Sequence, residues 1–209
     1  MTATSPIRIL SVDDHPLLRE GIGAIINSQP DMSLEAFASS GKAAIETFRS
    51  LRPDVTLMDL RLPDVSGIDV TLAIRTEFPD ARIIILTTFE RDVEIQRALR
   101  AGAYGFLLKS MPPKEMLEMI RRVHGGKKVV PNEIAAELAE HMGDKPLSER
   151  EVDVLRHVAE GNRNRDIAGR LFIAEETVKV HLKNIMGKLG ANDRTQAVAI
   201  AARRGIIFL

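Results

Sequence analysis

The chain has 209 residues, 44% of them hydrophobic and 28% charged, which is long for one small domain and comfortable for two. It has no cysteine, so disulfides and thiolate metal sites are excluded; no long apolar stretch precedes Asp13, and the apolar tail 197–209 is short and broken by Arg203 and Arg204, so a cytoplasmic protein with no membrane span is expected. The zero net charge hides an asymmetry: residues 145–209 hold 12 Lys and Arg against 8 Asp and Glu, and residues 1–144 carry the opposite surplus, which suits a cation-binding part and a polyanion-binding part.

Residues 7–12 read as a strand, and 15–28 as a helix with Leu17, Leu18, Ile22, Ile25 and Ile26 at helical spacing. Strands are then predicted at 32–38, 55–58, 82–86 and 105–108. Helices are predicted between and after them at 41–51, 68–77, 92–100 and 113–123, with Pro113 suited to a first turn. Such strand–helix alternation implies a parallel sheet covered on both faces. Right-handed crossovers and short connections favour the doubly wound, flavodoxin-like strand order 2-1-3-4-5 for a domain spanning 1–125.

Gly125-Gly126-Lys127-Lys128 ends that domain, and 126–146 reads as a linker with one helix at 132–141. From 147 to 209 no strand-like run appears. Ser148 followed by Glu151 predicts a capping box for a helix over 148–160, and helices at 165–171, 175–189 and 193–204 complete an all-helical domain of four.

Five positions carry the chemistry. Asp13 and Asp14 follow the first strand, Asp59 the third, Thr87 the fourth and Lys109 the fifth. Parallel strands share one C-terminal edge, where open α/β sheets bind ligands, so these residues should converge there. Acidic residues often follow strands as helix caps, and the weight rests on the ordered set. Clustered carboxylates repel one another, and Mg²⁺, with its preference for oxygen ligands, is the natural compensation. Asp59 can then accept a phosphoryl group, with Lys109 neutralising its oxygens and Thr87 donating a hydrogen bond.

The segments Val12-Asp13-Asp14-His15, Leu57-Met58-Asp59-Leu60, Leu62-Pro63, Gly67, Leu86-Thr87-Thr88-Phe89, Ala101-Gly102-Ala103 and Leu108-Lys109 resemble a two-component receiver domain. The resemblance implies that Asp59 is the phosphoacceptor and that Asp13, Asp14 and the backbone carbonyl of Arg61 join it around Mg²⁺. It also implies that Thr87 and Lys109 read the phosphate, with Phe106 as the switch aromatic. Ser110 stands where many receivers carry a proline joined through a cis peptide.

In the helical part, 165–171 followed by 175–189 has helix-turn-helix spacing. Val178, Leu182, Ile185, Met186 and Leu189 follow the buried period; the other faces carry Thr177, Lys179, Val180, Lys183, Asn184 and Lys188, of which Lys179, Val180 and Lys183 can meet base edges. Leu147-Ser148-Glu149-Arg150-Glu151, Asp166-Ile167-Ala168, Thr177-Val178-Lys179-Val180-His181 and Lys188-Leu189-Gly190 resemble the NarL/FixJ (LuxR-type) family. That resemblance implies base contacts from Lys179, Val180 and Lys183, and backbone contacts from Asn164, Arg165, Thr177 and Asn184. It also implies dimerisation through Val198, Ala201 and Ala202, inverted-repeat promoter DNA with half-sites about 10 bp apart, and phosphotransfer from a sensor histidine kinase. Two other readings compete. Aspartyl-phosphate phosphatases carry a second aspartate two residues after the nucleophile, where this chain has Arg61; a phosphate-independent DNA binder would not need the five-residue set.

Overall fold

The computed structural model describes residues 5–88, 92–140 and 143–207. Phe89, quoted above in the Leu86–Phe89 motif, lies outside them. The chain divides into two compact units, one of residues 1–89 and 96–135 and the other of residues 90–95 and 136–209, so two of the divisions fall inside helices, after Ile95 and after Ala135.

In the first unit β1 (Ile7–Val12), α1 (Pro16–Asn27), β2 (Met32–Ala38), α2 (Gly41–Leu51), β3 (Val55–Asp59) and α3 (Gly67–Glu77) follow one another. They are succeeded by β4 (Ile83–Thr87), α4 (Asp92–Arg100, of which residues up to Ile95 group with the second unit), β5 (Gly105–Leu108) and α5 (Pro113–His124). All four strand pairings are parallel and the order is β2-β1-β3-β4-β5, as the alternation predicted. β3 and β4 are buried at every residue, which is why they read as unbroken apolar runs and not as alternating ones. One face of the sheet carries a core built from Ile9, Leu57, Ile84, Leu86 and Leu107 under Ile26, Ile120 and Val123. Ser40 and Ser66 start α2 and α3 by accepting the backbone N–H groups of Ala43 and Ile68, so polar residues after strands fix where helices begin.

The stretch read as a linker is partly integrated into this unit. Val129 is buried and pairs in parallel with Gly105, and Ile134, in α6 (Asn132–Glu140), is also buried.

The second unit holds α7 (Glu149–Ala159), α8 (Asn164–Leu171), α9 (Glu175–Leu189) and α10 (Arg194–Arg203). The predicted capping box is present: Ser148 Oγ accepts the Glu151 N–H at 3.3 Å, and the Ser148 N–H donates to Glu151 Oε2 at 2.7 Å. Val154, Leu155, Ile167, Val178, Leu182, Ile185 and Ala197 form its core. No helix among the described residues is long and apolar enough to cross a membrane.

Candidate phosphoryl site and nucleic-acid face

Strand register brings the predicted residues together. Val12 stands opposite Met58, Asp59 opposite Leu86 and Thr87 opposite Leu108, so the residues at or just past these strand ends lie side by side on one edge. Lys109 Nζ donates to Asp59 Oδ2 at 2.8 Å and to Asp13 Oδ2 at 2.9 Å. Asp13, Asp59 and Thr87 are buried. The Lys109 N–H donates to the Thr87 carbonyl at 2.8 Å, fixing the lysine backbone to the end of β4.

Burial pushes the Asp13 carboxyl up, but the Lys109 ammonium and the His15 backbone N–H outweigh it and hold Asp13 below the usual carboxylate range. For Asp59 burial wins. Its carboxyl is raised despite Lys109, and the charge of Asp13 adds to the rise. Burial lowers the Lys109 ammonium, but its bonds to Asp59 and Asp13 raise it further, so it stays charged. Asp59 is therefore a less comfortable charge than Asp13 and the more basic oxygen donor of the two.

A ligand atom from each of Asp13, Asp14, His15 and Asp59 can be chosen so that all four lie within 4.8 Å of one another. Three carboxylates against one ammonium fit a hard divalent cation. His15 belongs to the group although sequence reading gave it no role. Its N–H donates to Asp13 Oδ1 at 2.8 Å, and its Nδ1 lies 3.0 Å from Asp13 Oδ1 and 2.9 Å from Asp14 Oδ1. Its position directly after two aspartates was the available signal. Arg61 is exposed and its backbone N–H donates to the Asp59 carboxylate. Phe106, the expected switch aromatic, is wholly buried. The described residues contain no cis peptide bond, and Lys109–Ser110 is trans. Gly67 has a steric reason: a Cβ there would strike the Asp59 carbonyl oxygen, so only glycine lets α3 start this close to β3.

In the second unit, α9 buries Val178, Leu182, Ile185 and Leu189 and exposes Thr177, Lys179, Val180, Lys183 and Asn184, as the period predicted, except that Met186 is only half-buried against the core. Lys179 Nζ donates to Glu176 Oε1 at 2.7 Å within the same helix. Arg165 is exposed and Asn164 half-buried, its Oδ1 enclosed. Arg150 donates to the Leu171 carbonyl at 2.5 Å and so ties α7 to the end of α8. Lys188, which the helical period placed with the polar residues, donates to the buried Glu151 Oε2 at 2.6 Å and pins α9 to α7.

One expectation is corrected. Ala201 is 0% exposed and sits in the core of its own domain beside Ala197 and Ile207, so it cannot line a surface between copies. Val198 and Ala202 are half-buried against the same core; the outward positions of α10 are Thr195, Gln196, Ala199 and Arg203.

The family model for the response regulator receiver domain matches residues 9–121, and that for bacterial regulatory proteins of the luxR family matches residues 145–201. The chain is 39% identical over 213 residues to the uncharacterized transcriptional regulatory protein YxjL of Bacillus subtilis (strain 168), covering 96% of this chain and 97% of that protein. It is 35% identical over 207 residues to the response regulator protein VraR of Staphylococcus saprophyticus, covering 97% and 99%. A solved structure of RcsB from Salmonella enterica serovar Typhimurium, bound to a promoter in the presence of phosphomimetic BeF3−, is similar with a TM-score of 0.74 and 26% identity, covering 95% of this chain and 99% of that one.

Proposed function

From a chain that belongs to the response-regulator family, with a receiver domain and a LuxR-type DNA-binding domain, we propose that phosphoryl transfer to Asp59 controls promoter binding by α9. The observation that carries this reading is the buried set at the sheet edge, where Lys109 bridges Asp13 and Asp59 beside Thr87.

Asp13, Asp14, Asp59 and the Arg61 carbonyl would hold Mg²⁺, which neutralises phosphoryl oxygens when bound. The chain's own groups do the rest. Asp59 attacks the phosphorus of a sensor kinase's phosphohistidine; the new O–P bond forms as the N–P bond breaks. Lys109, held by Asp13, donates to a phosphoryl oxygen, and the Thr87 hydroxyl donates to another. The phosphate adds about −1.5 to −2 charge at a rim already crowded with carboxylates, which favours an altered arrangement of Thr87 and Phe106. We assign 1–125 to the receiver, 126–146 to the connector and 147–209 to the DNA-binding domain. No catalysis beyond gain and loss of the Asp59 phosphate is assigned, and the setting is cytoplasmic.

On the output side, Lys179, Val180 and Lys183 face bases, while Thr177, Asn184, Arg165 and Asn164 face the sugar–phosphate backbone. A homodimer using the Val198 and Ala202 margin of α10 would read inverted repeats. The test is fluorescence anisotropy on a promoter fragment, with and without Mg²⁺ and acetyl phosphate, for the wild type and Asp59→Asn. Tighter binding with donor in the wild type alone is expected. Equal binding in all four conditions would leave the receiver without control of DNA affinity.

A further inference from the structure

β5 is the last strand of the sheet, so its outer edge presents unpaired backbone groups. The connector fills them at one rung. Val129 donates its N–H to the Tyr104 carbonyl at 2.8 Å and accepts the Phe106 N–H at 3.2 Å, bracketing Gly105. Three further features are built for that rung. Just past the end of α5 stands Gly126 at φ 82°, while the Lys127 N–H bonds to the Arg122 carbonyl and the Gly126 N–H to that of Val123; this left-handed stop turns the chain back along β5. At Gly105 a Cβ would stand 3.0 Å from the Val129 carbonyl oxygen, so glycine permits the close approach. The Val129 side chain is buried in the receiver core while Lys127 and Lys128 before it are exposed.

The same short strand carries the wholly buried Phe106 and runs into Lys109. Beyond Val129, α6 begins at Asn132, at most about 10 Å further along the chain. We infer that the Val129 rung is a positioning strap: it fixes the start of α6 to β5, so that a shift of Phe106 and Lys109 is passed into the connector and on towards the DNA-binding domain. Without the rung, the glycines and lysines of 125–128 would be a slack tether. The strap rests on the reading of Asp59 as the control of DNA affinity and adds the route by which the control leaves the receiver.

The test uses the full chain. Val129→Pro removes the N–H that bonds to Tyr104, and Gly105→Ala crowds the Val129 carbonyl while keeping every donor. Asp59 phosphorylation by acetyl phosphate is followed by intact-mass spectrometry, and DNA affinity with and without donor by anisotropy. Both variants should be phosphorylated to the wild-type extent, while their donor-induced change in DNA affinity falls to within about twofold of none. A folded, fully phosphorylated Val129→Pro that keeps the wild-type response overturns the strap alone. If Val129→Pro does not fold, Gly105→Ala is read by the same criterion. A wild type that is phosphorylated but shows no donor response overturns the gating reading, and the strap with it.

Discussion

At the sheet edge Lys109 is 16% exposed and holds two carboxylates that are 0% and 5% exposed, whereas on α9 Lys179 is half-exposed and its partner Glu176 lies one turn away on the same helix. The first arrangement is a closed set of buried charges in which one ammonium offsets two carboxylates. The second is a row of solvated charges available to an incoming polyanion. Buried ions lose much when one partner is removed, while exposed pairs contribute little to stability. Substitutions at the two sites should therefore differ in kind: the pocket answers in stability, the helix face in affinity.

The sharpest way to break this contrast is Lys109→Ala, which leaves Asp13 and Asp59 facing each other without an ammonium. Urea unfolding without divalent cations should show a loss of about 3 kcal/mol, partly restored by Mg²⁺. A loss below about 1 kcal/mol would mean that the carboxylates do not depend on Lys109. Next comes Gly67→Ala, whose Cβ meets the Asp59 carbonyl oxygen. Overpacking of this kind should cost about 2 kcal/mol, and an unchanged unfolding midpoint would show that α3 can shift freely.

Asp59→Asn probes the pocket from the other side. Because the Asp59 carboxyl is raised above 3.8, stability tied to its protonated form is present below that value and lost as pH rises through the raised one. Its ionised form is the costly one in neutral solution, so the amide should raise the melting temperature in EDTA and weaken the stabilisation given by Mg²⁺. A lower melting temperature would mean that the Lys109 contact outweighs burial. On α9, Lys183→Ala should leave melting unchanged within about 1 °C, yet weaken cognate DNA binding roughly tenfold and random DNA far less. Equal loss on both DNAs would reassign Lys183 to phosphate contact.

The features legible in the sequence share a property: they need only order and period. The strand order followed from the alternation, and Asp13, Asp59, Thr87 and Lys109 from their places at strand ends. Four features were not legible. His15 reaches Asp13 and Asp14 through a turn geometry that no periodicity encodes. Val129 is the first of two valines after Gly-Gly-Lys-Lys, and a single rung leaves no pattern. Lys188 looked like another surface lysine because a helical wheel cannot show that Glu151 waits on a neighbouring helix. Ala201 lies on a stripe of small residues that suits close packing but does not say against what; here it is the domain's own core.

The buried carboxylate of Glu151 serves two ends at once, accepting the Ser148 N–H that opens α7 and the ammonium of Lys188 near the close of α9. α9 and the first helix of its domain thus share a latch. In native-state hydrogen exchange their slowest amides should report a single opening free energy, so the DNA-reading surface is present as a whole or lost as a whole.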